Sequence, residues 1–235
     1  MRTIAIILAG GSGNRLGSDA PKQFLKVAGK EIIEYTIDTF EKCNAIDEIC
    51  IVSRADYVSH IEELVELNHF EKVKKIVPGG KERYHSSLAA LDAYTDDDTN
   101  LLFHDAVRPL VSERIINDCV SALQNYNAVG VATPTTDTIL EIGDDNCITN
   151  IPNRNQLRNA QTPQGFKRWV IRKAYDIALA DEHFQTTDDC GVVKKYLPSE
   201  KIYIINGENT NIKITYKEDI ELLEKLCTST KDNAR

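Results

Sequence analysis

The residues best suited to chemistry gather near the start of the chain. Thr3-Ile4-Ala5-Ile6-Ile7-Leu8 empties into Ala9-Gly10-Gly11-Ser12-Gly13-Asn14-Arg15-Leu16-Gly17, and Pro21-Lys22-Gln23-Phe24 follows closely. Glycines let a backbone approach an anion and turn its N–H groups inward, while Arg15 and Lys22 neutralise charge that backbone dipoles leave uncompensated. The loop therefore reads as the cradle of a phosphate chain in a nucleotide enzyme. It is not the dinucleotide fingerprint, because Gly11 to Gly17 has one residue too many before its last glycine. Nor is Gly79-Gly80-Lys81 a P-loop, since Glu82 follows the lysine and Lys75 stands where the first glycine belongs. Hydride transfer and P-loop hydrolysis are both disfavoured.

Further clusters lie where apolar runs end or loops begin. In Pro78-Gly79-Gly80-Lys81-Glu82-Arg83-Tyr84-His85-Ser86 the paired glycines permit close contact with a flat ring or sugar, and Ser86 can hydrogen-bond it; a plain turn before a helix explains the same residues. His104-Asp105-Ala106-Val107-Arg108-Pro109 follows Leu101-Leu102-Phe103. There Asp105 can accept from hydroxyls or help hold a cation and Arg108 can pair with phosphate, or the two can pair with each other. His104 reads as a packing residue, with no second histidine or cysteine at ligand spacing. Asp137-Thr138, Pro152-Asn153-Arg154 and Gln161-Thr162-Pro163-Gln164 frame a hairpin, where Arg154 is either solvated or offers its fork to a phosphate across a dimer interface. Thr186-Thr187-Asp188-Asp189 suits a helix cap as well as a ligand contact. In Asn211-Ile212-Lys213-Ile214-Thr215 the isoleucines take one face of a predicted strand and Lys213 the other, where an anion would explain it.

The elements that must position these residues alternate along the chain. Apolar β-branched runs predict strands at 3–8, 48–53, 73–77, 101–104 and 128–133, with helical patterns at 31–41, 56–67, 84–94 and 113–125 between them. Such alternation implies an α/β fold: a Rossmann-like, mostly parallel twisted sheet with helices on both faces and ligands at the carboxyl ends of its strands. From 133 to 161 the pattern becomes two short strands around Gly143-Asp144-Asp145-Asn146, a protruding β-hairpin too small to be stable alone and so expected to pack on a second subunit. Helices near 167–180, 188–196 and 217–227 and a strand at 201–205 complete one domain over 1–227, and the polar tail at 228–235 is expected to be disordered. There is no internal repeat or linker.

The 235 residues, 42% hydrophobic and 27% charged, fit an ordinary soluble domain. A net charge of -8 argues against sequence-independent nucleic-acid binding, so an anion site must be a local cationic cluster. The six cysteines have no metal-ligand spacing and read as reduced, structural thiols. No apolar segment approaches the roughly 20 residues needed to span a bilayer and no signal precedes the first strand, so no membrane association and a cytoplasmic location are expected.

Taken in order, these clusters resemble the cytidylyltransferases of the methylerythritol-phosphate and ribitol-phosphate type. The similarity runs from the Leu8–Gly17 loop with Pro21-Lys22-Gln23 through Gly79-Gly80-Lys81-Glu82-Arg83, His104-Asp105-Ala106-Val107-Arg108-Pro109, Gln161-Thr162-Pro163-Gln164 and Thr187-Asp188 to Asn211-Ile212-Lys213-Ile214-Thr215. The resemblance implies that CTP and an alcohol phosphate are joined to give a CDP-alcohol and pyrophosphate, in a homodimer, with Mg²⁺ or another divalent cation. It implies that Leu8, Ala9, Gly10, Gly11, Gly13, Arg15 and Lys22 hold the nucleotide's phosphates and that Gly80 and Ser86 lie at its cytosine and ribose. Asp105, Arg108, Thr138, Arg154, Thr187 and Lys213 would surround the alcohol phosphate, with Thr138 and Arg154 from the partner's arm. Arg15, Lys22 and Lys213 are then the expected catalytic cations, and Asp105 is the candidate metal contact.

A phosphate monoester, with its second pKa at about 6, is already a nucleophile at neutral pH, so no general base is required. The task is alignment of two polyanions and stabilisation of departing pyrophosphate. The run Ile151-Pro152-Asn153-Arg154 is more similar to the ribitol-phosphate branch, whereas many methylerythritol-phosphate enzymes carry Asp-Arg there and Leu-Trp where Leu157-Arg158 stands. Ribitol 5-phosphate, giving CDP-ribitol, is therefore the expected acceptor, with 2-C-methyl-D-erythritol 4-phosphate as the alternative. An inactive nucleotide-binding regulatory protein would be expected to lack a charge among Arg15, Lys22, Asp105 and Lys213, yet all are present. A sugar-1-phosphate nucleotidyltransferase shares the opening loop but not the arm or Gln161-Thr162-Pro163-Gln164.

Overall fold

The structure is a computed structural model that describes residues 1–11 and 20–232, with side chains described as far as Cys227. Gly13 and Arg15 lie outside the described residues. In chain order the elements are β1 (Arg2–Ala9), β2 (Lys26–Val27), β3 (Lys30–Glu31), α1 (Ile32–Lys42), β4 (Glu48–Ser53), α2 (Val58–Asn68), β5 (Val73–Pro78), α3 (Arg83–Ala93) and β6 (Thr99–Asp105). They continue with α4 (Glu113–Ala122), β7 (Ala128–Pro134), β8 (Glu141–Ile142), β9 (Ile148–Asn150), β10 (Arg158–Lys167), α5 (Arg168–Ala178), α6 (Asp189–Tyr196), β11 (Ile202–Asn206) and α7 (Lys217–Asp232).

The main sheet has seven strands in the order β11-β7-β10-β6-β1-β4-β5. β1 pairs parallel with β4 and β6, β4 with β5, and β7 with β11, while β10 runs antiparallel to β6 and β7. The unbroken apolar run of β1 is what a strand covered on both faces requires. Ala5, Ile7 and Ala9 join a core with Phe40 of α1, Ile61 of α2 and Ile115 of α4. Ile4, Ile6 and Leu8 join another with Leu91 of α3, Val170 and Tyr175 of α5, and Val192 of α6. A smaller cluster of Val27, Ile32, Val107, Ile214 and Leu223 seats α7 beside the opening of the site.

Local signals start the helices where the apolar periodicity predicts. Glu31 and Glu34 form a capping box on α1, Ser112 accepts from Ile115 N at α4, and Asp188 accepts from Gly191 N at α6. No disulfide joins the described cysteines, and Cys43, Cys50 and Cys119 are buried. Among the described residues no helix is long and apolar enough to cross a membrane.

The structure departs from the sequence reading in three places. β10 was not anticipated, because Pro163 lies inside it. The Thr162–Pro163 peptide bond is cis and the pairing with β7 jumps from Gln161↔Val131 to Gln164↔Gly130, so the proline occupies a break in the ladder. Second, 211–215 is extended but not a strand; Ile214 is buried and Lys213 exposed, and Ile214 N bonds Val107 O rather than joining a ladder. Third, α7 runs past 227 to Asp232, because the polar residues from Thr228 include no glycine or proline to stop it. The hairpin at 133–161 is present as β8 and β9, turned at Asn146 with φ of 61°.

Candidate functional site

A cleft of about 720 Å³ opens at the carboxyl ends of β1, β4 and β6, beside the turn after β5. Leu8, Ala9, Gly10 and Gly11 form one wall. Gln23 Nε2 donates to Ala9 O at 2.6 Å and to Gly11 O at 3.1 Å, tying the glycine turn to the Lys22–Phe24 turn. Lys22 is largely buried in the same wall and donates from Nζ to Ile214 O at 2.9 Å. Opposite, Ser86 Oγ stands between the two glycine turns: an added Cβ would come within 3.1 Å of it at Gly10 and 2.5 Å at Gly79. A side chain at Gly79 would have to displace Ser86 and crowd Val52, and one at Gly10 would press on Ser86; Gly80, Ser86 and the two turns bound a slot for a flat or narrow group.

The floor is built around Asp105, the last residue of β6. Lys213 Nζ lies 2.8 Å from its Oδ2, Arg83 Nε 3.6 Å from its Oδ1 and Arg108 Nε 3.8 Å from its Oδ2. Burial alone would raise its pKa, but Lys213, Arg83 and Arg108 hold the carboxyl well below the usual carboxylate range. Asp105 is thus an anion with its charge already answered. Arg83 in turn holds Asp189 at 2.6 Å, and despite the cost of burial the two carboxylates keep its guanidinium charged.

The bulge in β10 locks these pieces together. Asp105 N donates to Thr162 Oγ1, which contacts His104 Nδ1 at 3.0 Å, and His104 Nε2 reaches Arg108 O at 3.1 Å. The carbonyl partner assigns the ring proton to Nε2, so Thr162 donates to Nδ1. Burial pushes the His104 pKa down to about 4, in keeping with a neutral packing residue. Asn211 Nδ2 donates to Thr162 O at 2.8 Å, anchoring the segment that carries Lys213. Gln164 accepts from Asp189 N and donates to Asp188 Oδ2, anchoring α6.

Of the residues expected in the site, Leu8, Ala9, Gly10, Gly11, Lys22, Gly80, Ser86, Asp105 and Lys213 line this cleft. Arg108 does not; it is buried beneath Asp105 and donates to Asn211 O at 2.7 Å, which fits the structural reading of that residue. Thr138, Arg154 and Thr187 are exposed and are not among the residues that line the cleft, and Arg154 Nη1 donates to Thr136 O at the root of the arm. Arg54, Lys81 and Arg83 also line the cleft. Arg54 directly follows β4, so the strand-end rule that selects Asp105 points to it too. Among the described residues no three His, Cys, Asp or Glu side chains converge as metal ligands, and Asp105 is already committed to cations. The described residues do not form a cradle for a protein-held metal ion.

A family model described as 2-C-methyl-D-erythritol 4-phosphate cytidylyltransferase matches residues 3–229. An enzyme of that description from Thermobifida fusca is 46% identical over 231 residues, covering 96% of this chain and 93% of the relative. A bifunctional ribulose 5-phosphate reductase/CDP-ribitol pyrophosphorylase from Haemophilus influenzae is 45% identical, covering 97% of this chain but 48% of that longer relative. The crystal structure of a 4-diphosphocytidyl-2C-methyl-D-erythritol synthase from Anaerococcus prevotii superposes with a TM-score of 0.85 at 34% identity, covering 97% of this chain and 96% of the other.

Proposed function

Because the chain belongs to the 2-C-methyl-D-erythritol 4-phosphate cytidylyltransferase family and is a nucleotidyltransferase, we propose that it transfers the cytidylyl group of CTP to 2-C-methyl-D-erythritol 4-phosphate, releasing pyrophosphate. The observation that carries this reading is the pairing of a glycine-walled slot with a cationic floor, Lys22 lining the wall and Lys213 the floor of one cleft. The acceptor phosphate attacks the α-phosphorus as a dianion, so the protein's work is placement and charge stabilisation. Lys22, with Arg15, neutralises the triphosphate and the departing pyrophosphate. Lys213 attracts the acceptor phosphate, and Asp105 accepts from an acceptor hydroxyl. The divalent cation implied by the family has no protein cradle among the described residues, and no step here depends on it.

The acceptor differs from the one expected from Asn153-Arg154. The family model and the Thermobifida and Anaerococcus relatives favour methylerythritol phosphate. Ribitol 5-phosphate is kept as a second reading on a specific observation: the Haemophilus relative is nearly as similar, and Ile151-Pro152-Asn153-Arg154 suits that branch. The arm supports a homodimer, since Ile142, Ile148 and Ile151 are each more than half exposed on it. Thr138 and Arg154 would then reach the acceptor phosphate of the partner's site. Cysteines that form no disulfide suit a reducing cytoplasm. The test is kcat/KM for the two polyol phosphates in parallel with CTP: a preference above about tenfold for methylerythritol phosphate supports the proposal, and the reverse preference gives the ribitol reading.

A further inference from the structure

Arg83 is shared by two carboxylates in different settings. Its Nε faces Asp105 at 3.6 Å and its Nη1 holds Asp189 at 2.6 Å. Asp105 lines the cleft, whereas Asp189 does not and its side chain is wholly buried. Asp189 is itself held from two sides: Tyr175 OH donates to its Oδ1 at 2.7 Å, and its own N–H donates to Gln164 Oε1 at 3.0 Å. The cluster thus sets Asp105 and Asp189 against Arg83, Arg108 and Lys213, leaving one positive charge in excess for an incoming phosphate.

A buried ion pair is a poor way to gain stability, because desolvation consumes most of the attraction and apolar side chains of similar volume pack as well or better. It is a good way to fix the direction of a planar guanidinium, which when gripped at one edge has its other edge aimed. We infer that Asp189 is a positioning residue for the acceptor half of the site. It grips Arg83 at Nη1 so that Nε stays on Asp105, and Tyr175 keeps Asp189 in place. The chain Tyr175–Asp189–Arg83–Asp105–Lys213 couples α5, α6 and α3 to the end of β6 and to the 211–215 segment. It meets the glycine wall through the backbone pairing of Asp105 with Leu8, which a side-chain change at Asp189 leaves in place, so its loss falls on the polyol phosphate more than on CTP. This role presupposes the cytidylyl transfer proposed above, which turnover by the unaltered protein tests separately.

The experiment is steady-state kinetics on the full chain with both substrates varied. Asp189→Asn is expected to raise the polyol-phosphate KM by about tenfold or more while the CTP KM stays within about twofold, because a misplacement near the reacting groups is costly only where it is felt. Tyr175→Phe, which leaves the charges intact, is expected to give a smaller rise in the same KM. Since Asn leaves Arg83 buried opposite a neutral group and can impair folding, Asp189→Asn/Arg83→Gln is compared with Arg83→Gln alone. Equal polyol-phosphate KM values for these two are expected if Asp189 acts through Arg83. An unchanged polyol KM in Asp189→Asn, a parallel rise in both KM values, or a further loss in the double variant overturns the positioning role. Absence of turnover in the unaltered protein overturns the transfer reading and this role with it.

Discussion

Lys213 Nζ lies 2.8 Å from Asp105 Oδ2 and joins the end of β6 to an extended segment far along the chain. The contact gives the floor of the cleft a cation whose position is set by a carboxylate that stays ionised. Lys213 is 40% exposed at its side chain, open enough to exchange Asp105 for a substrate phosphate or to hold both.

Lys213→Ala is expected to lower kcat by about 10²- to 10³-fold, the usual loss when a preorganised charge donor is removed. The thermal midpoint should fall only modestly, because Arg83 and Arg108 still face the buried Asp105 carboxylate when Lys213 is gone. Near-normal kcat with a large fall in thermal midpoint would instead make Lys213 a structural residue.

Gly79→Ala places a Cβ 2.5 Å from Ser86 Oγ and 3.1 Å from Val52 Cγ1. Overpacking of this kind costs about 1–3 kcal/mol, so a thermal midpoint lowered by several degrees is expected together with a raised CTP KM. A raised CTP KM is the informative half, since it places the nucleoside against this turn; an unaltered value would move the nucleoside elsewhere.

His104 is buried neutral, with its pKa pushed from 6.5 down to about 4. Between those values the unfolded chain binds a proton that the folded chain does not, so stability rises with pH through that window and falls as acid is added. The loss from this group is about 3 kcal/mol between pH 7 and pH 4. Urea unfolding at both pH values should show a smaller acid loss in His104→Gln than in the unaltered protein, with the difference of that order. Equal losses would mean that His104 charges without cost.

Mixing Arg154→Ala and Lys22→Ala subunits tests the arm. If each site draws Arg154 from the partner, mixed dimers hold one intact site, and random mixing of inactive parents should restore about a quarter of full activity. Failure to regain any activity would confine Arg154 to its own subunit, where it donates to Thr136 O.

Much of this site is legible in one dimension because it follows strand ends. The β-branched runs of β1, β4 and β6 announce buried strands, and Gly10 and Asp105 lie where those strands stop. What is hidden depends on contacts that leave no local trace. Pro163 argues against a strand at 158–167, and only the break in pairing between Gln161 and Gln164 accommodates it. Arg83 and Asp189 are 106 residues apart, so their ion pair has no periodic signature, and Asp189 looks like one more acidic residue at a helix start. Arg108 is a different case: its spacing from Asp105 allows either a phosphate contact or a pair with that carboxylate, and its further bonds to the carbonyls of Asn211 and Ala160 come from distant segments that leave no local trace.

The most direct test of cytidylyl transfer is a ³¹P spectrum of the protein incubated with CTP, a divalent cation and 2-C-methyl-D-erythritol 4-phosphate. The account predicts loss of the monoester signal and growth of a coupled pair of diphosphate resonances from a CDP-alcohol, with pyrophosphate in equal amount. Unconsumed monoester, or CMP and pyrophosphate formed with no CDP-alcohol, would contradict it.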